Sequence, residues 1–229
     1  IIIWPRSSIT SKTPFASRFK FNIQRIIRLM SSPLPVSTFD LARDKIVLAS
    51  SNAHKIQEFK SLLPEAEQLI GQDALKVPSP EETGQTFIEN ALLKARHASL
   101  LTGLPALADD SGLVVPALNG APGIFSARYA GPTASDTENC NRLLSALSGV
   151  TDRRACFHAS LVFLLHADDP DPIIAQGHWF GEILTQSQGT KGFGYDPLFL
   201  VPELKKTAAE LPESEKSAIS HRGQALRRL

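Results

Sequence analysis

Apolar and polar positions alternate along the chain in a pattern that predicts short strands and amphipathic helices. The run 46–49 is apolar throughout and predicts a buried strand. A small polar segment, Ser50-Ser51-Asn52, follows, and apolar residues then recur at helical spacing from Ile56 to Leu63. Pro64 is expected to end that helix. The body of the chain therefore opens with a strand, a polar loop and a helix.

Two capping boxes predict the starts of two more helices. In Thr86-Phe87-Ile88-Glu89 the threonine is the expected N-cap and the glutamate the third helical residue, and the helix is expected to end at Gly103. The segment Ser135-Asp136-Thr137-Glu138 repeats this pattern and predicts a helix that continues to Leu147.

Five later apolar runs predict strands, at residues 106–108, 113–115, 155–165, 173–184 and 197–201. The fourth is expected to break at Gly177, and helical sequence begins near Glu213. Helices alternate with strands early in the chain, whereas the later strands follow one another and favour antiparallel pairing. The whole pattern predicts a mixed α/β fold.

Composition excludes several classes of protein. The 229 residues are 42% hydrophobic and 21% charged, which is typical of a globular protein that buries a core. No apolar run approaches the roughly 20 residues that a membrane-spanning helix needs, so no membrane association is expected. Cys140 and Cys156 are interpreted as buried thiols in a reducing compartment, because two isolated cysteines do not make a disulfide framework.

Charge is distributed unevenly between an N-terminal segment and the rest of the chain. Residues 1–43 carry seven Lys/Arg and one acid, whereas residues 44–229 carry 17 Lys/Arg and 22 Asp/Glu. This acidic body argues against nucleic-acid binding. Residues 1–29 have the composition of an organellar transit peptide, but a reading frame that starts at Met30 is the favoured interpretation. We therefore expect a cytoplasmic protein whose functional domain is 44–229, preceded by a disordered, non-native or targeting extension over 1–43.

Two polar segments could bind phosphate or a metal ion, although each has an ordinary explanation. Ser50 to Lys55 joins a strand to a helix N-terminus, where free N–H groups and the helix dipole favour an anion. A capped helix with a surface lysine is the better explanation of this segment taken alone. Glu81-Glu82-Thr83-Gly84 offers carboxylates to a hard cation, but taken alone it is better explained as a solvated acidic turn.

The acidic pair Asp109-Asp110 follows an apolar strand, at the position where α/β proteins place ligands. Adjacent strand residues point to opposite sides, so one aspartate should face a cleft and the other should be structural. A carboxylate in a cleft could hold Mg²⁺ or position an attacking water. An ordinary turn at Asp110-Ser111-Gly112 explains the segment equally well.

A glycine-rich loop carries an aromatic residue suited to a nucleotide base. Phe193 lies between Gly192 and Gly194, so a flat ligand could approach closely and stack on its ring. Asp196 could accept hydrogen bonds from the same ligand. The alternative is a tight loop with Phe193 packed in the core.

The segment Lys216-Ser217-Ala218-Ile219-Ser220-His221-Arg222-Gly223 offers cationic and donor groups close together. Lys216 could meet a phosphate, and His221 and Arg222 could donate to a carbonyl oxygen on a base. A basic helix end is the common alternative.

Taken together, these segments resemble the inosine triphosphate pyrophosphatase family, also called the Ham1 family of non-canonical purine nucleotide pyrophosphatases, and its bacterial members most. The resemblance extends from about Lys45 to the end of the chain. Five ordered blocks carry it, at residues 81–91, 108–113, 120–129, 192–197 and 216–223. The first polar loop departs from the family pattern, because Ser50 stands where a threonine is usual, but the hydroxyl is kept.

The resemblance implies an elongated two-lobed mixed β-sheet flanked by helices, with a central nucleotide-binding cleft, and usually a homodimer. It implies Mg²⁺-dependent hydrolysis of ITP, dITP and XTP to the monophosphate and pyrophosphate. It also implies a longer terminal helix than the residues after Arg222 provide, which predicts a shortened and less stable C-terminal end.

The resemblance also implies roles for individual residues. Asp110 is the catalytic carboxylate, with Glu81 as the preferred second metal ligand and Glu82 as its competitor. The phosphates are lined by Ser50, Ser51, Asn52, Ala53, His54 and Lys55. The rest of the nucleotide is held by Ser111, Phe193, Gly194, Tyr195, Asp196, Lys216, His221 and Arg222.

Two other functions remain open from the sequence. One is a Maf-like pyrophosphatase that acts on pyrimidine or modified nucleotides, and the other is a nucleotide-binding module without turnover. Retention of Glu81, Asp110 and Lys216 together argues against the second. Donors from His221 or Arg222 would pair with the 6-oxo group of inosine or xanthine and stay unsatisfied against adenine, which predicts selectivity.

Overall fold

The computed structural model describes residues 45–63 and 68–229. The expected N-terminal extension, the transit-peptide interpretation of residues 1–29 and the alternative start at Met30 all lie outside these residues. So does Pro64, the expected end of the first helix. Within the described residues, no helix is both long and apolar enough to cross a membrane.

Seven strands and five helices make up the described fold, together with short 3₁₀ turns. The strands are β1 (Ile46–Ala49), β2 (Leu69–Gly71), β3 (Ala106–Val114), β4 (Arg154–Leu164), β5 (Ile173–Ile183), β6 (Phe199–Val201) and β7 (Lys206–Thr207). The helices are α1 (Ala53–Leu62), α2 (Phe87–Thr102), α3 (Asp136–Ala146), α4 (Glu213–Ile219) and α5 (His221–Leu226).

The strands form one mixed sheet in the order β2-β1-β3-β4-β5-β6-β7. Strand β1 pairs in parallel with both β2 and β3, and the remaining pairs are antiparallel. The mixed α/β class and the antiparallel pairing of the later strands are therefore as the sequence predicts. The two short strands β2 and β7 were not predicted, because neither has enough residues to show a period.

The helix boundaries follow the local capping signals. Asn52 caps α1, and its side-chain oxygen accepts from the backbone N–H groups of His54 and Lys55. Both predicted capping boxes form, at the starts of α2 and α3. Gly103 ends α2 in the left-handed conformation with φ of 68°, which a glycine adopts without steric cost.

Two strand predictions were wrong in detail. The runs 106–108 and 113–115 were expected to be separate, but β3 continues through the acidic pair to Val114, because it is hydrogen-bonded to β4 along its whole length. Strand β5 does not break at Gly177. A side chain at that position would collide with the backbone carbonyl of His221, so Gly177 allows α5 to pack closely on the sheet.

The two faces of the sheet carry different helices. Helix α2 packs its alanine stripe on one face, in a cluster that includes Ala106 and Ala108 of β3. Helix α5 packs on the other face, against β4 and β5. Side chains alternate along β3, so Asp110 points to the same face as Ala108, and Asp109 points to the face of α5.

Candidate active site

A cleft with a volume of about 450 Å³ opens beside β3. Its size is in the range of small-molecule sites. Most of the predicted site residues line it: Ser50, Ser51, Asn52, Lys55, Glu82, Asp110, Ser111, Phe193, Gly194, Tyr195, Asp196, Lys216, His221 and Arg222. Three of the predicted residues are absent from the lining, namely Ala53, His54 and Glu81.

The N-terminus of α1 forms one end of the cleft. Ser50 Oγ accepts from the N–H of Asn52 at 3.2 Å, and the Asn52 side chain caps the helix. Lys55 Nζ lies 3.1 Å from Asp109 Oδ2, so the lysine points inward to the sheet and not into solvent. Burial lowers the pKa of Lys55. This end of the cleft combines a helix N-terminus with a half-buried cation, which suits an anionic group.

Asp110 belongs to an ion-pair network on the α2 face of the sheet. Lys94 Nζ lies 2.7 Å from Asp110 Oδ1 and 3.2 Å from Glu82 Oε1, and Arg128 donates to Glu82 Oε2 at 2.9 Å. Burial raises the pKa of Asp110, and the nearby charges of Lys94 and Lys55 offset only part of that effect. Asp110 Oδ2 is buried and has no partner among the described groups. Asp110 therefore keeps an oxygen free for a ligand.

The approach of residues 81–84 to α2 decides which glutamate reaches the cleft. The N–H of Gly84 donates to Asn90 Oδ1 at 2.8 Å, and a Cβ at Gly84 would lie 2.6 Å from that oxygen. This close contact holds the segment so that Glu82 faces Lys94, whereas Glu81 is exposed. The geometry thus supports Glu82 as the second carboxylate of the site, contrary to the preference for Glu81.

A second ion-pair network occupies the α5 face. Arg222 is 1% exposed and donates to Asp109 Oδ2 through Nε at 3.2 Å and through Nη2 at 3.0 Å, and Nη1 contacts Glu58. Burial alone raises the pKa of Asp109, but Arg222 and Lys55 outweigh it and hold that pKa well below its ordinary value. Ser111 Oγ donates to Asp109 and accepts from Arg222, at 3.1 and 2.9 Å. Asp109 is therefore a counter-ion of Arg222 and Lys55.

Glu58 and Asp196 place the amino group of Lys216. Lys216 Nζ lies 3.0 Å from Glu58 Oε1 and 2.7 Å from Asp196 Oδ2, and 5.1 Å from the centre of the Phe193 ring. Burial raises the pKa of Asp196. The structure thus groups Lys216 with the loop of residues 192–196, called here the aromatic loop. Asp196 binds Lys216 and accepts from the N–H of Phe193 at 2.9 Å.

The aromatic loop is anchored to its neighbours by its backbone and by Tyr195. The N–H of Gly194 donates to Asp136 Oδ2 at 2.6 Å, at the start of α3. The buried hydroxyl of Tyr195 donates to the Ser126 carbonyl at 2.8 Å. Tyr195 is therefore a support of the loop, while the half-buried ring of Phe193 lines the cleft.

His221 is a buried, neutral imidazole. Its ring stacks on Phe157 with a centroid distance of 4.9 Å, and burial and the charge of Arg222 lower its pKa well below the ordinary value. Its Nδ1 atom is buried without a partner among the described groups. Since an unpaired buried polar atom costs free energy, this nitrogen is suited to a ligand hydrogen bond.

Sequence reasoning gave no role to Lys94, Arg128 or Glu58, which the structure brings into contact with predicted site residues. Lys94 lies three positions after Ala91 and one before Ala95, on the buried stripe of α2, and a lysine in an alanine stripe is the signal that could have revealed it. Glu58 lies one turn after Lys55 on α1, but its partners come from the end of the chain. Spacing alone does not reveal such partners.

The donor set fits a divalent cation of the Mg²⁺ type. Among residues 45–63 and 68–229, no three His, Cys, Asp or Glu side chains cluster as a metal site. Mg²⁺, however, takes one or two protein carboxylates and completes its shell with water and substrate phosphates. Asp110 and Glu82 already share one cation, the Lys94 ammonium, and Asp110 Oδ2 is free. This pair meets that requirement.

Residues 46–229 match the model of the Ham1 family. A dITP/XTP pyrophosphatase of Pectobacterium atrosepticum is 60% identical over 188 residues, which are 81% of this chain and 95% of that protein. A protein of the same name from Shigella flexneri is 58% identical over 188 residues, with the same shares of 81% and 95%.

Solved structures agree with the sequence matches. A HAM1 protein from Coxiella burnetii is 53% identical and superposes with a TM-score of 0.75, covering 80% of this chain and 94% of that one. The Ham1 protein of Staphylococcus aureus is 44% identical with a TM-score of 0.71, and again 80% and 94% of the two chains are covered.

Proposed function

The chain belongs to the Ham1 family, and from that membership we propose that it hydrolyses non-canonical purine nucleoside triphosphates (ITP, dITP and XTP) to the monophosphate and pyrophosphate. The names of its relatives, dITP/XTP pyrophosphatases, support this substrate class. One observation carries the proposal: a single cleft holds both a carboxylate with a free buried oxygen and a neutral imidazole with a free buried nitrogen, on Asp110 and His221.

We propose that Asp110 acts on the attacking water. It accepts a hydrogen bond from that water, orients it towards the α-phosphorus and takes its proton as the new P–O bond forms. The bond to the bridging oxygen breaks, and pyrophosphate leaves. Lys55 and Lys94, buried or nearly so at the same end of the cleft, offset the charge that develops on the phosphate oxygens.

Mg²⁺ is the proposed cofactor, held by Asp110 and Glu82. When bound, such an ion neutralises phosphate charge and polarises the phosphoryl group. The contribution of this chain is the carboxylate pair, kept close together by Lys94, and the Arg128 contact that orients Glu82.

Base selectivity is assigned to the His221 end of the cleft. A neutral imidazole carries its proton on one nitrogen, and a proton on Nδ1 would donate to the 6-oxo group of inosine or xanthine. Adenine presents an amine there, so the buried donor would stay unpaired, at a cost of about 1–3 kcal/mol. Arg222 is committed to Asp109, Glu58 and Ser111, and it supports selectivity by holding the pocket in place.

The test is pyrophosphate release from ITP, dITP, XTP, ATP, dTTP and UTP, with and without Mg²⁺. We expect turnover of the 6-oxo purine nucleotides only, and only with the metal. Equal rates on ITP and ATP would contradict the proposed selectivity. Preference for a pyrimidine nucleotide would favour a Maf-like enzyme, and binding of ITP without turnover would favour a binding module.

A homodimer and a cytoplasmic location complete the proposal, on the family resemblance. Light scattering is expected to give twice the 24.9 kDa mass of one chain. A mass of one chain at the concentrations used for the assay would contradict the dimer.

A further inference from the structure

His54 contacts the aromatic loop and not the inside of the cleft. It lies exposed in the first turn of α1, and its ring stacks on Phe193 with a centroid distance of 5.2 Å and an interplanar angle of 10°. Phe193 lines the cleft, whereas His54 does not. His54, which the family resemblance implies should line the phosphates, packs instead on the aromatic loop.

Hydrogen bonds hold the backbone of this loop, and two neighbouring side chains contact the Phe193 ring. Gly192 and Gly194, on either side, have φ of 75° and 60°, which glycine tolerates better than other residues. The hydrogen bonds to Asp196 and Asp136 hold the main chain only. The Phe193 side chain is contacted by His54 and by the Lys216 ammonium. The parallel imidazole fixes the plane of the Phe193 ring, which lines the cleft.

Helix α1 is a rigid platform for His54. On its inner side, Lys55 pairs with Asp109 at 3.1 Å and Glu58 pairs with Lys216 at 3.0 Å. Phe59 is completely buried. The helix that carries His54 is thus tied both to β3 and to the base end of the cleft, so the imidazole is presented to Phe193 from a fixed backbone.

We infer that His54 is a positioning residue that holds the Phe193 ring flat for stacking on the purine base. The inference rests on the proposed function, since it concerns the base of that substrate. It makes base affinity depend on a residue that has no contact with the nucleotide. Planarity is the property that matters, so another aromatic ring should replace the imidazole.

The test compares His54→Ala, His54→Tyr, Phe193→Ala and the His54→Ala/Phe193→Ala double variant, with Gln57→Ala as a control on the exposed side of the same helix. Loss of one ring contact should raise the KM for ITP by about three- to tenfold, with kcat little changed. His54→Tyr should restore KM, and Gln57→Ala should match the wild type. In the Phe193→Ala background, removing His54 should have no further effect.

Inhibition by inorganic pyrophosphate separates this role from a phosphate contact. The inhibition constant of pyrophosphate should be the same for His54→Ala and wild type. A large rise of this constant in His54→Ala would overturn the inference. Additive effects in the double variant, or failure of His54→Tyr to restore KM, would also overturn it. A wild-type protein that releases no pyrophosphate from any nucleotide would reject the proposed function and this inference together, whereas the other outcomes reject the inference alone.

Discussion

Asp109 and Asp110 are neighbours in the chain, but they belong to two different electrostatic environments. Asp109 lies on the α5 face, where Arg222 and Lys55 hold its pKa well below the ordinary range against the effect of burial. Asp110 lies on the α2 face, where burial raises its pKa despite the contact with Lys94. Each carboxylate has one buried oxygen without a partner among the described groups, Oδ1 of Asp109 and Oδ2 of Asp110. What differs is the charge: the surroundings favour the ionised form of Asp109, whereas burial disfavours that of Asp110, the residue proposed to act on water.

The surrounding networks show the same contrast. On the α5 face, three carboxylates meet three cations in the interior: Asp109, Glu58 and Asp196 with Lys55, Lys216 and Arg222. On the α2 face, two carboxylates meet two cations nearer to solvent: Glu82 and Asp110 with Lys94 and Arg128. The buried network is suited to hold a base pocket in place, and the more accessible one is suited to exchange partners with phosphate and metal.

The largest expected effect is on turnover, from Asp110→Asn. The amide cannot accept the proton of the attacking water, so kcat should fall by about 10²- to 10⁴-fold, while the free energy of unfolding should not fall. Steady-state kinetics and urea denaturation measure the two quantities. Asp168→Asn, at an exposed loop position, is the control and should behave like wild type. Near-normal turnover in Asp110→Asn would remove its assigned role.

The next effect is on stability, from Asp109→Asn. It leaves Arg222 and Lys55 buried with no counter-ion on β3, so the free energy of unfolding should fall by about 3–5 kcal/mol. Asp152→Asn is the matched control, because it removes the carboxylate from a solvent-exposed ion pair with Arg154. It should change the free energy of unfolding little. If urea denaturation gives the same free energy of unfolding for both variants, the buried network is no more important for stability than the exposed pair.

The pH dependence of stability should differ in sign between the two aspartates. A carboxylate with a lowered folded pKa stabilises the fold above its unfolded pKa of about 3.9, and this contribution is lost as the pH falls towards the folded pKa. The stability difference between wild type and Asp109→Asn should therefore shrink below that pH. The folded pKa of Asp110 is raised, so its ionisation should lower the free energy of unfolding as the pH rises above about 3.9. Parallel pH profiles for the two variants would contradict the opposite shifts.

A smaller effect, on the KM for ITP, is expected from Glu58→Gln. Lys216 and Arg222 each lose one charged partner, so the base end of the cleft loosens while Asp110 is untouched. We expect the KM for ITP to rise by about fivefold, equivalent to roughly 1 kcal/mol, and kcat to fall less. Glu182→Gln, at an exposed position of β5, is the control. A fall in kcat with KM unchanged would place Glu58 with the reaction rather than with the base.

Much of the local structure was predictable from the sequence. The capping boxes at Thr86 and Ser135, the cap at Asn52 and the stop at Gly103 all depend on residues a few positions apart, so their signals are local. The same holds for the alternation that sends Asp109 and Asp110 to opposite faces. The continuity of β3 was missed, because it depends on pairing with β4 and not on the residues of β3 alone.

The sequence by itself determined the mixed α/β class, most element boundaries and, through its five blocks, the family. Only the tertiary structure decided which charged side chains pair with one another. Arg222 meets Asp109 across 113 positions, Lys94 of α2 reaches Asp110 on β3, and Glu82 rather than Glu81 faces Lys94 where Gly84 contacts Asn90. These choices depend on burial and on distances of about 3 Å between distant segments, and both arise only when the chain has folded.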